Sequence, residues 1–129
     1  MVADYERKIL AKEGQWQLAR KTLGKKISLN TWKSNNGTIE ISIFQYDTPK
    51  EALQFLEGSK WSRASGHSVD VKELGDAAYE HLTSEGVVCS IMFVKGRTVV
   101  MVDTLEMQEI GLPVARRFAK HVLDAMQGQ

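Results

Sequence analysis

The sequence predicts an α+β protein in which about three helices pack on a single antiparallel sheet. The two most apolar segments, Val87–Val94 and Thr98–Val102, are rich in β-branched residues, and the glycine-containing link Lys95–Arg97 joins them as a hairpin. In both segments, odd and even positions alike carry apolar side chains. Because successive side chains of a strand point to opposite faces, both faces of this hairpin should meet apolar neighbours. This pair is therefore predicted to form the centre of the sheet. Short connections between consecutive strands favour antiparallel pairing.

The composition is that of an ordinary globular protein. Of the 129 residues, 43% are hydrophobic and 26% are charged, and a chain of this length is predicted to form one α+β domain over residues 1–129. The formal net charge of +1 provides no overall field that would attract nucleic acid or anionic lipid. No apolar run approaches the roughly 18 residues that a membrane-spanning helix needs. The single cysteine cannot form an internal disulfide.

The N-terminal part of the chain predicts a helix followed by a hairpin. Residues 3–12 contain good helix formers, with Tyr5 and Ile9 on one stripe. Residues 16–23 fit neither the helical period nor the strand period, so a strand and a helical turn both remain open. On either side of the turn Ser34–Gly37, Ile27, Leu29 and Thr31 alternate with polar neighbours, and Ile39, Ile41 and Ile43 alternate with Glu40 and Ser42. This alternation predicts a hairpin with one dry face, formed by the first-named set of each strand, and one wet face.

The second predicted helix has the clearest start in the sequence. Thr48 can accept a hydrogen bond from the backbone, Pro49 suits the first helical position, and Glu51 completes a capping box. Gly58 is the predicted stop. The polar segment from Gly58 to His67 is then the longest irregular stretch of the chain.

The C-terminal half predicts a meander of three or four strands and a final helix. Together with the N-terminal hairpin, the meander gives about five to six strands. The final helix opens at Pro113 and carries an apolar stripe on one side. Its outward-pointing residues are predicted to be Arg116, Arg117, Lys120 and His121.

Several segments, in their order along the chain, resemble a group of bacterial proteins. They are Tyr46–Ala52, the Leu74–Ala78 turn, the Phe93–Val100 hairpin, and a closing helix with Ala115 and Ala119. This order is similar to that of small bacterial extracytoplasmic domains of unknown function with a PsbP-like α+β plan, many of them secreted proteins or lipoproteins. The resemblance covers residues 27–126 in pattern and implies no catalytic residues. It implies an extracytoplasmic location. Because the start Met1–Asp4 shows no basic segment followed by an apolar core, we expect this location if an upstream signal was removed and a cytoplasmic one otherwise.

Cys89 and His81 are the candidate nucleophile and base. If Ser84–Gly86 forms a three-residue loop, His81 lies opposite Cys89, and the two side chains can interact. A two-residue loop shifts this pairing by one position. A cysteine among apolar strand residues is ordinarily a small buried core residue, and the sequence shows neither oxyanion donors nor a third triad member. We therefore expect no catalysis, and a small hydrolase or transferase using this pair is the alternative.

The ligand-type residues do not predict a metal or cofactor site. The candidates are scattered along the chain as His67, Asp70, His81 and His121. Zinc requires three or four converging ligands, which only the fold could bring together. The glycines of the turns are isolated and form no phosphate-binding fingerprint. We expect neither a metal nor a cofactor.

A local basic cluster supports a second alternative, nucleic-acid binding. It consists of Arg20, Lys21, Lys25, Lys26 and Lys33, with Trp16 and Trp32 nearby. Cations interleaved with aromatic rings can neutralise phosphates and stack bases. The near-neutral net charge argues against this function, and charged residues on an outer hairpin also serve to prevent edge pairing.

The polar segment after the second helix supplies the leading hypothesis. Its binding residues are predicted to be Lys60, Trp61, Arg63 and His67. Tryptophan and arginine are the residue types that most often anchor interfaces, although Trp61 can instead fold back over the helix end. We expect a non-catalytic module that contacts a protein or a small ligand through this loop and the adjoining sheet surface. The dry faces of the central strands are also compatible with a homodimer.

Overall fold

A computed structural model describes residues 5–61, 67–82, 89–105, 107 and 111–127. Within these residues, three helices accompany one sheet of seven strands. In chain order the elements are α1 (Tyr5–Lys12), β1 (Gln17–Leu23), β2 (Ile27–Ser34), β3 (Gly37–Gln45), α2 (Pro49–Trp61), β4 (His67–Asp70), β5 (Ala77–Leu82), β6 (Cys89–Lys95), β7 (Thr98–Leu105) and α3 (Gly111–Gln127). The predicted α+β class, single antiparallel sheet and three helices are confirmed. The prediction of five to six strands is wrong.

The additional strand is β1, in the segment that the sequence left ambiguous. β1 pairs with β2, and the register shifts between Leu18 and Arg20, which leaves Ala19 without a register partner. Such a bulge interrupts the alternation of side chains, so the apolar residues of β1 cannot follow a period of two. All of β1 except the half-buried Leu18 is exposed, as expected for an edge strand.

The strands follow the order β1-β2-β3-β7-β6-β5-β4, and every neighbouring pair is antiparallel. The N-terminal meander β1–β3 therefore meets the C-terminal meander β4–β7 where β3 pairs with β7. β7 is the fourth of the seven strands and β6 lies beside it. The predicted central position of this hairpin is confirmed.

One face of the sheet is covered by α1 and α3 and carries the larger core. The alternate isoleucines of β3 point to this face and are fully buried. Phe118 of α3 packs edge-on against Trp16 and Trp32, with ring centroids 5.3 and 6.1 Å apart. We call this side the α1–α3 face.

The opposite side, the α2 face, is covered in part by α2. Ala52 and Leu56 lie on the buried side of this helix and pack against Tyr79 and Met92. The hydroxyls of Ser59 and Tyr79 form a hydrogen bond of 3.0 Å. Because α2 contacts β5, β6 and β7, it covers the C-terminal half of the sheet.

The start of α2 is as predicted, but its end is not. The backbone N–H of Glu51 donates to Thr48 Oγ1 at 3.1 Å, and the Thr48 hydroxyl donates to the Glu51 carboxylate at 3.2 Å. The predicted stop at Gly58 is wrong, since the helix runs on to Trp61. Lys60, in the last turn, forms an ion pair with β4, so a tertiary contact holds the turn that follows the glycine.

The final helix, α3, is amphipathic. Its buried stripe includes Ala115, Phe118 and Val122, which confirms the predicted pattern. The prediction that His121 points outward is wrong, because its side chain is half-buried against Glu13 at the end of α1. In the described part of the chain, no helix combines the length and the apolar character that crossing a membrane requires.

Glu13 ties the end of α1 to α3. Its carboxylate accepts hydrogen bonds from Arg117 Nε and Nη2 at 3.0 and 3.1 Å, and it lies 2.9 Å from His121 Nε2. The hydrogen bonds from Arg117 are the main reason that the pKa of Glu13 is lowered; burial opposes this effect, and His121 adds to it.

We expect Glu13→Gln to lower the free energy of unfolding by about 2 kcal/mol at neutral pH, because charge-assisted hydrogen bonds are lost. The folded carboxyl group has the lower pKa, so its contribution is complete above the unfolded pKa and is lost as the pH falls through the folded value. The deficit should therefore shrink below about pH 4. Urea titrations at several pH values would measure it, with the exposed Glu57→Gln as control. A deficit that does not vary with pH would contradict the assignment.

Candidate binding surface

Within the described residues, no helix covers the α2 face over β1, β2 and most of β3. In the middle of β2 and β3 the exposed and half-buried side chains share that face, because their neighbours in sequence point into the α1–α3 core. The register places Arg20 and Thr22 of β1 beside them. We call this surface the open half. Its residues are Arg20, Thr22, Leu29, Thr31, Lys33, Glu40 and Ser42.

The open half contains a cavity of about 200 Å³. Its lining side chains include three hydroxyls, one guanidinium, one carboxylate and Leu29, which is 39% exposed. Arg20 and Glu40 flank Thr31 as register partners on either side. The opposite charges thus lie two strand spacings apart, roughly 10 Å between their backbones.

A row of polar side chains crosses the whole sheet on the α2 face. In each neighbouring pair of strands, the register pairs one member of this row with the next. From β4 to β1, the members are Ser68, His81, Ser90, Asp103, Glu40, Thr31 and Arg20. We call this the polar row. At its covered end, Ser68 Oγ lies 2.8 Å from His81 Nδ1, and the Ser90 hydroxyl donates to Asp103. The row therefore passes from buried, hydrogen-bonded groups at β5 and β6 to solvent-facing groups in the open half.

Cys89 and His81 do not face each other. The register pairs His81 with Ser90 and Leu82 with Cys89, so the pairing predicted for a three-residue loop is wrong and the one-position shift is observed. Since successive residues alternate, His81 belongs to the α2 face and Cys89 to the α1–α3 face. Cys89 is buried, and its backbone N–H donates to Thr104 Oγ1 at 3.0 Å. The geometry therefore does not bring the Cys89 thiol and the His81 imidazole together.

The predicted binding loop is described only at its two ends. Lys60 forms an ion pair with Asp70 of β4, and hydrogen bonding to this carboxylate raises the pKa of Lys60. Trp61 is the last residue of α2 and His67 is the first of β4. The side chains of Trp61 and His67, and the whole of Arg63, lie outside the described residues. The loop therefore stays a prediction, although its ends are fixed beside the covered part of the sheet.

The basic cluster is divided between two environments. Trp16 and Trp32 are only 3% and 0% exposed, so the expectation that their rings could stack bases is wrong. Both rings lie in the core of the α1–α3 face. Lys21 and Lys26 form ion pairs with carboxylates, at 2.5 and 2.7 Å. The cations of the cluster that belong to the open half are Arg20 and Lys33.

The scattered ligand-type residues have separate partners. These are Lys60 for Asp70, Ser68 for His81 and Glu13 for His121. Among the residues that the structure describes, no group of three His, Cys, Asp or Glu side chains is placed to hold a metal ion.

Comparisons with known proteins support the fold and go no further. No protein-family model matches this chain, and no curated protein matches it. Among solved structures, it is similar to the crystal structure of a GTP binding regulator from Thermotoga maritima, with a TM-score of 0.61. The match covers 97% of this chain and 88% of that chain at 10% sequence identity. At this identity the likeness shows a shared fold alone.

Proposed function

We propose that this chain is a non-catalytic binding module and that its open half contacts a protein partner. The observation that supports this proposal is the partial coverage of the α2 face. α2 packs on β5, β6 and β7, while the same face of β1 and β2 presents its side chains to solvent. A rigid antiparallel sheet thus holds a continuous surface across three strands that none of the described helices covers.

The chemistry of the open half favours a protein over a small molecule. Small-molecule sites are mostly apolar concavities of about 300–1,000 Å³, whereas the cavity here measures about 200 Å³ and five of its eight lining residues carry hydroxyl or charged groups. Protein interfaces combine apolar and aromatic anchors with arginine and a polar surround. Leu29 and Arg20 supply such groups on the sheet.

Phe55 of α2 adds an aromatic group at the boundary of the open half. It is 39% exposed, and its ring centroid lies 6.1 Å from that of Phe44 and 5.6 Å from that of Tyr46. These neighbours hold the ring in place at the edge where α2 ends its coverage of the sheet. A ring that is both supported and exposed can bind a partner with little loss of conformational entropy.

Two expectations from the sequence complete the proposal. The residue types at Lys60, Trp61, Arg63 and His67 support a second contact region in the loop between α2 and β4. The resemblance to extracytoplasmic domains of PsbP-like plan supports a location outside the cytoplasm. Reading the upstream part of the gene for a secretion signal, followed by fractionation of the native cells, would test the location.

The test of the binding surface begins with a photo-crosslinking amino acid at Thr31 in native cells, which would identify the protein that touches the open half. The purified partner is then titrated with matched variants. Leu29→Glu should weaken binding at least about tenfold, the effect of losing an interface anchor. Leu10→Glu is the control, because Leu10 is 47% exposed on α1, on the other side of the sheet. Equal affinities for the two variants would contradict the proposal.

GTP is a second ligand to test, in a separate experiment, because the structural neighbour is described as a GTP binding regulator. Amide chemical shifts of the free protein are recorded with and without GTP. Saturable shifts confined to β1, β2 and β3 would mean that the open half binds a small molecule, and the assignment of a protein partner would then be wrong.

A further inference from the structure

The β2–β3 hairpin turns through two exposed asparagines, Asn35 and Asn36. They lie between Ser34 and Gly37, which are register partners at the ends of the two strands. The backbone N–H of Asn36 donates to Ser34 Oγ at 3.0 Å. Gly37 has a φ of +141°, a conformation that residues with a side chain rarely adopt. The turn thus requires glycine directly after an exposed asparagine.

This dipeptide carries its own chemistry. The backbone nitrogen of Gly37 can attack Cγ of Asn36, which forms the N–Cγ bond of a succinimide ring. The Cγ–Nδ2 bond breaks, and ammonia leaves with the proton that the backbone nitrogen gives up. Water then adds to either ring carbonyl and opens the ring to aspartate or isoaspartate. The balance is one amide and one water converted to one carboxylic acid and one ammonia, and glycine presents no side chain to obstruct the attack.

We infer that Asn36 is a site of spontaneous deamidation. The chain contains three asparagines, and Asn36 alone precedes a glycine. Asn35 precedes another asparagine, and Asn30 precedes Thr31. Asn30 is also buried and donates a hydrogen bond to Ser28 Oγ at 3.2 Å. The reaction is intrinsic to the turn, so the inference does not depend on the proposed binding function.

Deamidation changes the charge of a neighbouring concavity. A pocket of about 640 Å³ lies at this end of the hairpin, and its lining residues are Gln15, Gln17, Lys33, Ser34, Asn35 and Asn36. These residues supply one cation and four amides. A carboxylate at position 36 introduces the first negative charge into this lining and removes the formal net charge of +1. Isoaspartate also inserts an extra backbone carbon into the turn, which disturbs the Ser34–Gly37 pairing.

To test this, the intact folded protein is incubated in mildly alkaline buffer, and the deamidation of each asparagine is followed by mass mapping of tryptic peptides. Cleavage after Lys26, Lys33 and Lys50 separates residues 27–33, which contain Asn30, from residues 34–50, which contain Asn35 and Asn36. The mass gain of amide-to-acid conversion should accumulate in the second peptide, and fragment ions should place it at Asn36, severalfold faster than at Asn35. Conversion of Asn36 no faster than that of Asn35 would overturn the inference.

Two variants complete the test: one is a reference for the charge of the product, and the other shows whether the rate depends on Gly37. Asn36→Asp is the charge reference: the aged protein should acquire a component that co-elutes with it on ion exchange, and a component for isoaspartate beside it. Gly37→Ala should slow the conversion severalfold, and the same comparison in denaturant removes any effect of strain in the turn. Equal rates for wild type and Gly37→Ala in denaturant would also overturn the inference.

Discussion

Phe118→Ala should lower the free energy of unfolding by about 3–5 kcal/mol, the usual cost of truncating a buried phenylalanine. The ring is fully buried between α3 and the sheet. Its edge-on contacts with Trp16 and Trp32 add about 0.5–1.5 kcal/mol per pair to the apolar burial. Because the strands beneath are already fixed by their pairing, the core cannot collapse fully into the space that the ring leaves.

Phe55→Ala is the matched control, since it removes the same atoms from a ring that is 39% exposed. We expect it to cost about 1 kcal/mol, because much less apolar surface returns to water. Denaturant titrations followed by tryptophan fluorescence would measure both variants. If the two losses were equal, Phe118 would not occupy the centre of the core. Under the proposed function, the order reverses for partner binding, because Phe55 borders the open half and Phe118 is buried on the other face.

The fold elements that the sequence predicts well are those whose signal is local. The alternating isoleucines of β3 identify a strand with one dry face, and Thr48 with Glu51 identifies a helix start, because both patterns lie within a few residues. The apolar residues on both faces of β6 and β7 likewise predict the central position of this pair. In each case the conformation of the segment in the folded protein is the one that its own residues favour.

The elements that the sequence predicts poorly depend on tertiary contacts. The bulge at Ala19 hides the period of β1, which is stabilised by pairing with β2. Gly58 lies within α2 because Ser59 and Lys60 bind β5 and β4, respectively. The relation of Cys89 to His81 turned on a one-residue difference in register, which reverses the face of every side chain in the strand.

The sequence predicted only part of the candidate surface. The alternation in β3 predicted that Glu40 and Ser42 lie on a wet face, and they do. In β2 the same reasoning is wrong: Ile27, Leu29 and Thr31 were expected on the dry face, but the structure buries Ser28, Asn30 and Trp32 and leaves Leu29 and Thr31 on the wet face. That face becomes a continuous surface only because α2 crosses β5, β6 and β7 instead, which no local pattern of α2 specifies. The polar row depends similarly on the registers of six strand pairs, one of which, β3 with β7, joins strands that are far apart in the chain. Sequence reasoning identified side chains, while their assembly into a surface is a property of the whole sheet.

Gly75→Ala should be the most damaging of the glycine substitutions in the turns. Gly75 has a φ of +65°, and a Cβ at this position would lie 2.5 Å from the backbone oxygen of Val94 and 3.0 Å from Phe93 Cδ2. The backbone oxygen cannot rotate away as a side chain can. We expect a loss of about 3–4 kcal/mol, from about 1–2 kcal/mol for the left-handed backbone and a further cost of overpacking.

Gly96→Ala separates these two causes. Gly96 has a similar φ of +59°, but apart from its own atoms and those of its two chain neighbours, no heavy atom lies within 4 Å of the position a Cβ would take. It should therefore lose only about 1–2 kcal/mol, the conformational cost alone. Urea titrations of both variants would give the difference, and equal losses would show that Gly75 is not pressed against β6.

The same contact explains what the Leu74–Ala78 turn does. With Gly75 seated on β6, the backbone N–H of Asp76 donates to Val94 O at 2.7 Å, and the Asp76 carboxylate accepts from the backbone N–H of Gly96 at 2.7 Å. The turn before β5 thus locks the β6–β7 hairpin at the centre of the sheet. If Gly75→Ala destabilises the fold while the surviving folded protein keeps its partner affinity, the residues of this turn serve the architecture. Such a result would leave this turn outside the proposed binding surface, which lies on other strands.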